Sequence, residues 1–104
     1  MQKPEGLFDA LDAKRIEWKK HALTRMLERG ISRAEVLQTL QEGVIIESYP
    51  EDYPFPSHLV CKVTDHPLHV VFAWNDSEQI CYLITAYRPD REHFESDFIT
   101  RRPS

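Results

Sequence analysis

The chain has 104 residues, of which 41% are hydrophobic and 29% charged, with a formal net charge of −4. This is the composition of one ordinary globular domain, 1–104, and it excludes collagen, coiled coil and wholesale disorder. The longest apolar run, Val70 to Trp74, is far short of the roughly 20 residues of a membrane-spanning helix, and Gln2 to Glu5 has no signal-peptide character, so a cytoplasmic protein with no membrane partner is expected.

The two cysteines, Cys61 and Cys81, lie inside strand-like runs and form no Cys-x-x-Cys pair. They read as reduced sheet residues, and a zinc ribbon is excluded. The histidines offer no ligand set either. His66 and His69 point to opposite sides of an extended segment, and His58 and His93 have no evident co-ligands, so neither a metal nor another cofactor is expected.

In chain order, Leu7, Phe8, Ala10 and Leu11 suit a short amphipathic helix. A second helix is predicted from about Lys20 to Arg29, stopped by Gly30 in its left-handed role. Ser32 and Glu35 form the capping-box pattern before a third helix, whose apolar stripe Val36, Leu37 and Leu40 ends at Gly43. Strand-like runs then follow at Val44 to Tyr49, His58 to Thr64, Leu68 to Trp74 and Ile80 to Tyr87. The proline-rich stretch Pro50 to Pro56 cannot lie inside a sheet because proline lacks the ladder donor, so it joins the first two strands as a loop. Short turns at Asp65-His66 and Asn75 to Ser77 make the last three strands an antiparallel meander. A final helical turn is placed at Arg91 to Asp97. The expected fold is therefore α+β, with N-terminal helices packed on one face of a four-stranded antiparallel sheet and a short C-terminal helix.

Charge is segregated along this order. Residues 14–33 carry seven positive and two negative side chains, and residues 34–60 carry no positive and five negative ones. A basic segment on an acidic body is a local anion site, a dock for an acidic partner, or a solvated helix face, and the count does not separate these. At 100° per residue from His21, Arg25 falls at about 40° and Arg29 at about 80°, beside an apolar arc of Ala22, Leu23, Met26 and Leu27. His21 lies in the first turn, where free N–H groups favour anions.

Period-two reading of the strands puts Leu68, Val70, Phe72 and Trp74 on the core side, with Ile80, Tyr82, Ile84 and Ala86 facing the same core. A two-residue turn at Asp65-His66 would set Lys62 beside His69. His69, Lys62, Thr85 and Tyr87 then converge on an open sheet face, provided that neither strand carries a bulge.

Several segments match a known pattern: His21-Ala22 followed by Arg25, then Glu28 to Ser32 with Glu35-Val36, then Pro67 to Val71, and Ile84 to Asp90. On these the chain resembles, over about residues 16–102, the bacterial family of domain of unknown function 4258, with 1–15 as an N-terminal extension. That family is similar to the RelE-like toxins, compact α+β proteins of which many are metal-independent ribonucleases. The resemblance implies that fold and a neutralising antitoxin-like protein partner. This chain departs from the toxins in being acidic overall.

The resemblance and the residues together suggest a toxin-like domain that binds or cleaves RNA without metal. Such chemistry needs a proton acceptor for the ribose 2′-hydroxyl, a proton donor for the departing oxygen, and cations for the phosphate. The expected catalytic set is His69, His21, Tyr87 and Thr85, with Arg25, Arg29 and Lys62 holding phosphate. His69 and the arginine ridge would meet around one solvent-open hollow. Tyr49, Tyr53 and Phe55 are available to stack on bases. The alternative is a non-catalytic protein–protein interaction module of the same fold, in which the acidic 34–60 segment or an exposed sheet edge binds a protein partner, while the plainer account of Arg25 and Arg29 is that they pair with Glu28, Glu47 or the acidic loop and hold helix to sheet.

Overall fold

The chain is described from a computed structural model covering residues 2–90 and 97–101. Among the described residues, three helices, α1 (Leu7–Asp12), α2 (Lys20–Arg29) and α3 (Arg33–Glu42), alternate with or precede five strands: β1 (Ile16–Trp18), β2 (Val44–Tyr49), β3 (Ser57–Lys62), β4 (Leu68–Asn75) and β5 (Ile80–Tyr87).

The helix boundaries follow local chemistry. Gly30 adopts φ 68°, and its N–H and that of Ile31 cap the carbonyls of Leu27 and Met26. Ser32 Oγ accepts from the Glu35 N–H at 3.1 Å while the Ser32 N–H donates to Glu35 Oε2 at 2.9 Å, the reciprocal box expected from the sequence. α3 ends where the backbone turns extended at Gly43, a position that admits no side chain because a Cβ there would stand 2.7 Å from the Cys61 and Thr39 carbonyl oxygens. Glu35 also binds Arg88 at 2.9 Å, tying the start of α3 to the residue after β5.

The sheet has five strands in the order β1-β5-β4-β3-β2, and β1 runs parallel to β5 while every other pair is antiparallel. The four-stranded antiparallel expectation is thus corrected to a mixed five-stranded sheet. The added strand escapes sequence reading because Ile16-Glu17-Trp18 offers only one alternation. It is fixed by its neighbour, with Cys81 N–H donating to the Arg15 carbonyl at 3.0 Å. Residues 91–96, where a C-terminal helical turn was expected, lie outside the described residues. Asp97 closes a turn by accepting from the N–H groups of Ile99 and Thr100, each at 2.9 Å.

The hydrophobic core lies between the helices and one face of the sheet, where Val36 and Leu40 of α3 and Met26 of α2 join Val70, Phe72, Leu83 and Ala86 in one buried cluster. Apolar burial on this scale, at about 25 cal/mol per Å², is the main source of stability. The inward residues of β5 differ from the expected ones. Val71 pairs with Thr85 but Phe72 pairs with Leu83, so Ile84 is an extra, bulged residue. The bulge reverses parity along the strand: Cys81, Leu83 and Ala86 face the core, and Ile84 is 45% exposed. Leu27, placed by the helical wheel in the apolar arc, is instead 83% exposed. A second bulge, between Ile45 and Glu47, shifts the edge strand β2.

Candidate active site

The face of the sheet turned away from the helices carries the polar chemistry. Cys61 of β3, His69 of β4 and Tyr87 of β5 form one cross-strand row, with Leu59, Val71 and Thr85 in the next. Pairing Cys61 with His69, and so Lys62 with Leu68, moves Lys62 off this face. The connection between the strands spans residues 63–67, longer than the two-residue turn read from the sequence. Lys62 reaches across to Glu42 of α3, Nζ to Oε1 3.3 Å, on the helix side.

His69 is fully buried rather than solvent-open. Its Nε2 lies 2.7 Å from the Phe98 carbonyl oxygen, and its Nδ1 lies 3.3 Å from the Tyr87 hydroxyl. A carbonyl only accepts, so Nε2 carries the proton and Nδ1 accepts from the Tyr87 O–H. The Tyr87 ring meets the imidazole edge-on, with centroids 5.3 Å apart. Burial holds the imidazole pKa below its ordinary value, opposed by the Phe98 carbonyl and the Glu47 charge. Burial likewise raises the Tyr87 phenol, so both groups are neutral near pH 7. Phe98 adopts φ 58°, an uncommon conformation for a non-glycine residue.

A charged group flanks this pair. Arg101 grips Glu47 of β2 through two bonds, Nε to Oε2 at 2.9 Å and Nη2 to Oε1 at 3.0 Å. Tyr49, two residues along the same strand face, donates its hydroxyl to Glu47 Oε1. The Arg101 bond lowers the Glu47 pKa, and Glu47 raises that of Arg101. The Tyr49 phenol is pushed up to about 12 by burial and then by the adjacent carboxylate. Five groups from β2, β4, β5 and residue 101 therefore supply a neutral imidazole, two protonated phenols, a carboxylate and a guanidinium.

The sequence-predicted residues divide accordingly. His69 and Tyr87 are brought together as expected. Thr85 is half-buried and meets Arg29 instead, whose Nη1 lies 3.4 Å from Thr85 Oγ1 and 2.8 Å from the Ala86 carbonyl oxygen. Arg25 pairs with Glu28 at 3.3 Å on the exposed side of α2, and His21 is exposed in the first turn of that helix. Neither joins the imidazole. Glu47 pairs with Arg101 rather than with Arg25 or Arg29, and Phe55 stacks on Tyr82. Glu47 and Tyr49 stand two apart on one strand, a spacing that puts both on one face. Arg101 has no local signal linking it to Glu47, 54 residues away.

Cys61 and Cys81 are buried free thiols. Burial raises the first to about 11 and the second to about 12, which keeps both protonated and unreactive. No helix among the described residues is long and apolar enough to cross a membrane.

The chain is thus an α+β domain with helices on one face of a mixed sheet and an acid–base cluster on the other. It belongs to the family described as domain of unknown function (DUF4258), whose sequence profile matches residues 18–88. No curated protein and no solved structure matches it.

Proposed function

We propose that this is a toxin-like domain that binds RNA and cleaves it without metal, using the face that bears His69, Tyr87, Glu47, Tyr49 and Arg101. The observation that carries the reading is that four separated stretches of chain bring an imidazole bonded to Tyr87 within the electrostatic reach of a Glu47–Arg101 pair that also holds Tyr49. None of these five groups belongs to the hydrophobic cluster between the helices and the sheet.

Cleavage requires the Phe98 carbonyl to leave His69 Nε2, which it now covers. The imidazole proton can then sit on Nδ1, facing the Tyr87 oxygen, and the free Nε2 lone pair takes the proton of the ribose 2′-hydroxyl. The 2′-oxygen attacks phosphorus while the P–O5′ bond breaks. The imidazolium returns its proton to the departing 5′-oxygen, leaving a 2′,3′-cyclic phosphate and a 5′-hydroxyl. Arg101 supplies positive charge to the phosphoryl oxygens, and Glu47 balances the transient imidazolium.

Purified protein incubated with single-stranded RNA in excess EDTA tests this. Cyclic-phosphate products are expected, with rates lowered at least about 100-fold by His69→Ala and Arg101→Ala and unchanged by Arg25→Ala. Expression of the wild type is expected to arrest growth. A second reading is favoured by the complete burial of His69 with both ring nitrogens engaged. It is a non-catalytic interaction module, and it stands if no RNA is cut and no toxicity appears.

A further inference from the structure

A cleft of about 450 Å³ opens on the same sheet face, toward the other end of the strands from His69. Ala73 and Tyr82, which pair in register, and Ser57, which pairs with Ala73, line it. Ala73 is four residues from His69 on the same face of β4, about 13 Å along the strand. A single RNA strand laid along this face would therefore cross both the cleft and the His69 end of the sheet.

Three features define what the cleft would take. Phe55, from the proline loop, stacks on Tyr82 with centroids 5.3 Å apart and planes within 5°. Tyr53, 95% exposed at the rim, leaves a third ring available to close over a ligand. These rings suit a flat aromatic guest. The charged lining is Glu17, Lys19 and Asp52. Lys19 is 3.7 Å from Glu17 and stands 5.0 Å over the Tyr82 ring, so its charge is already committed twice. The Asp52 carboxylate is oriented by the Ser57 hydroxyl, which donates to Oδ2. The balance is negative, which repels a phosphate and favours a guest that offers hydrogen-bond donors.

We infer that this cleft is a nucleobase subsite selective for guanine, with the base stacked on the face of Phe55 turned away from Tyr82, which backs it, and its N–H edge turned to Asp52. Guanine alone among the four bases presents two adjacent donors, N1–H and N2–H, on its pairing edge. Adenine and cytosine set a ring-nitrogen lone pair beside their amino group, and uracil flanks its one N–H with two carbonyl oxygens. Each of these would face a carboxylate oxygen with a lone pair. The inference deepens the RNA reading, which it presupposes, by assigning the base at one position.

The test is titration of the full-length protein with 5′-GMP, AMP, CMP and UMP, followed by amide chemical shifts. GMP is expected to bind about ten-fold more tightly than the others and to move the signals of Phe55 and Tyr82. Tyr82→Leu is expected to weaken GMP about ten-fold. Asp52→Asn is expected to erase the preference for GMP while weak stacking survives. Because Asp52 is exposed, that variant reports on the site even if Tyr82→Leu disturbs folding. Equal binding of all four nucleotides, shifts confined to other surfaces, or tetramethylammonium bound more tightly than GMP would each overturn the inference. The last would mark a cation cage. RNA cleavage that persists without GMP binding sinks the subsite alone. GMP binding without any RNA cleavage sinks the catalytic reading alone.

Discussion

Removing the imidazole by His69→Ala tests whether the second face is as closed as the structure describes. Two hydrogen bonds are lost, to the Phe98 carbonyl and the Tyr87 hydroxyl, each contributing about 1 kcal/mol. Loss of the edge-on contact with Tyr87 adds about 1 kcal/mol. The expected destabilisation is therefore about 3 kcal/mol. With a urea m-value of about 1.5 kcal/mol/M, the unfolding midpoint should fall by about 2 M at unchanged slope. Equilibrium urea denaturation followed by tryptophan fluorescence measures it, since Trp74 is in the core. A loss below about 1 kcal/mol would refute the argument, because it would mean that water already occupies the ring's surroundings and that the Phe98 contact is not the resting state.

Acid should destabilise the fold through the same residue. Burial lowers the pKa of both His58 and His69 from the ordinary value of about 6.5, so below that pH the unfolded chain binds protons that the folded chain refuses. Stability is full above about pH 6.5 and falls as the pH drops toward the folded values. Urea midpoints from pH 8 to pH 5 should show this, and His69→Gln should flatten the slope; greater stability on acidification would contradict it. Ser32→Ala, which removes the cap of α3, should cost about 1 kcal/mol and lower the melting temperature by roughly 4–8 °C. A disulfide reagent at pH 8 should leave Cys61 and Cys81 unmodified in the native protein and label both promptly in denaturant, given thiols raised to about 11 and about 12.

What could be read in the sequence was what neighbouring residues decide together. Gly30, Ser32 with Glu35, and Gly43 mark real helix ends, and the four longer strands and the meander stand where the patterning put them. Pairings governed by one unforeseen residue were not legible. The bulge at Ile84 reversed which side chains of β5 face inward, although it left Tyr87 across from His69. The longer turn before Pro67 exchanged Lys62 for Cys61 as the neighbour of His69. Arg25 and Arg29, prominent as a cationic ridge, spend their charge on Glu28 and on the end of β5. The guanidinium that reaches the cluster, Arg101, comes from a stretch with no strand or helix period to place it.

The position of Arg29 also bears on how the border of the sheet is covered. Because β1 pairs only with Cys81, Tyr82 and Leu83, the last four residues of β5 have no strand on that flank among the described residues. A bare border of peptide groups invites the matching border of another molecule and, through it, growth into fibres. By occupying the Ala86 carbonyl, Arg29 removes one acceptor that an incoming chain would need and sets a bulky, hydrated cation in its path. The arginine singled out as a grip for nucleic acid thus covers, in this fold, part of an open sheet border.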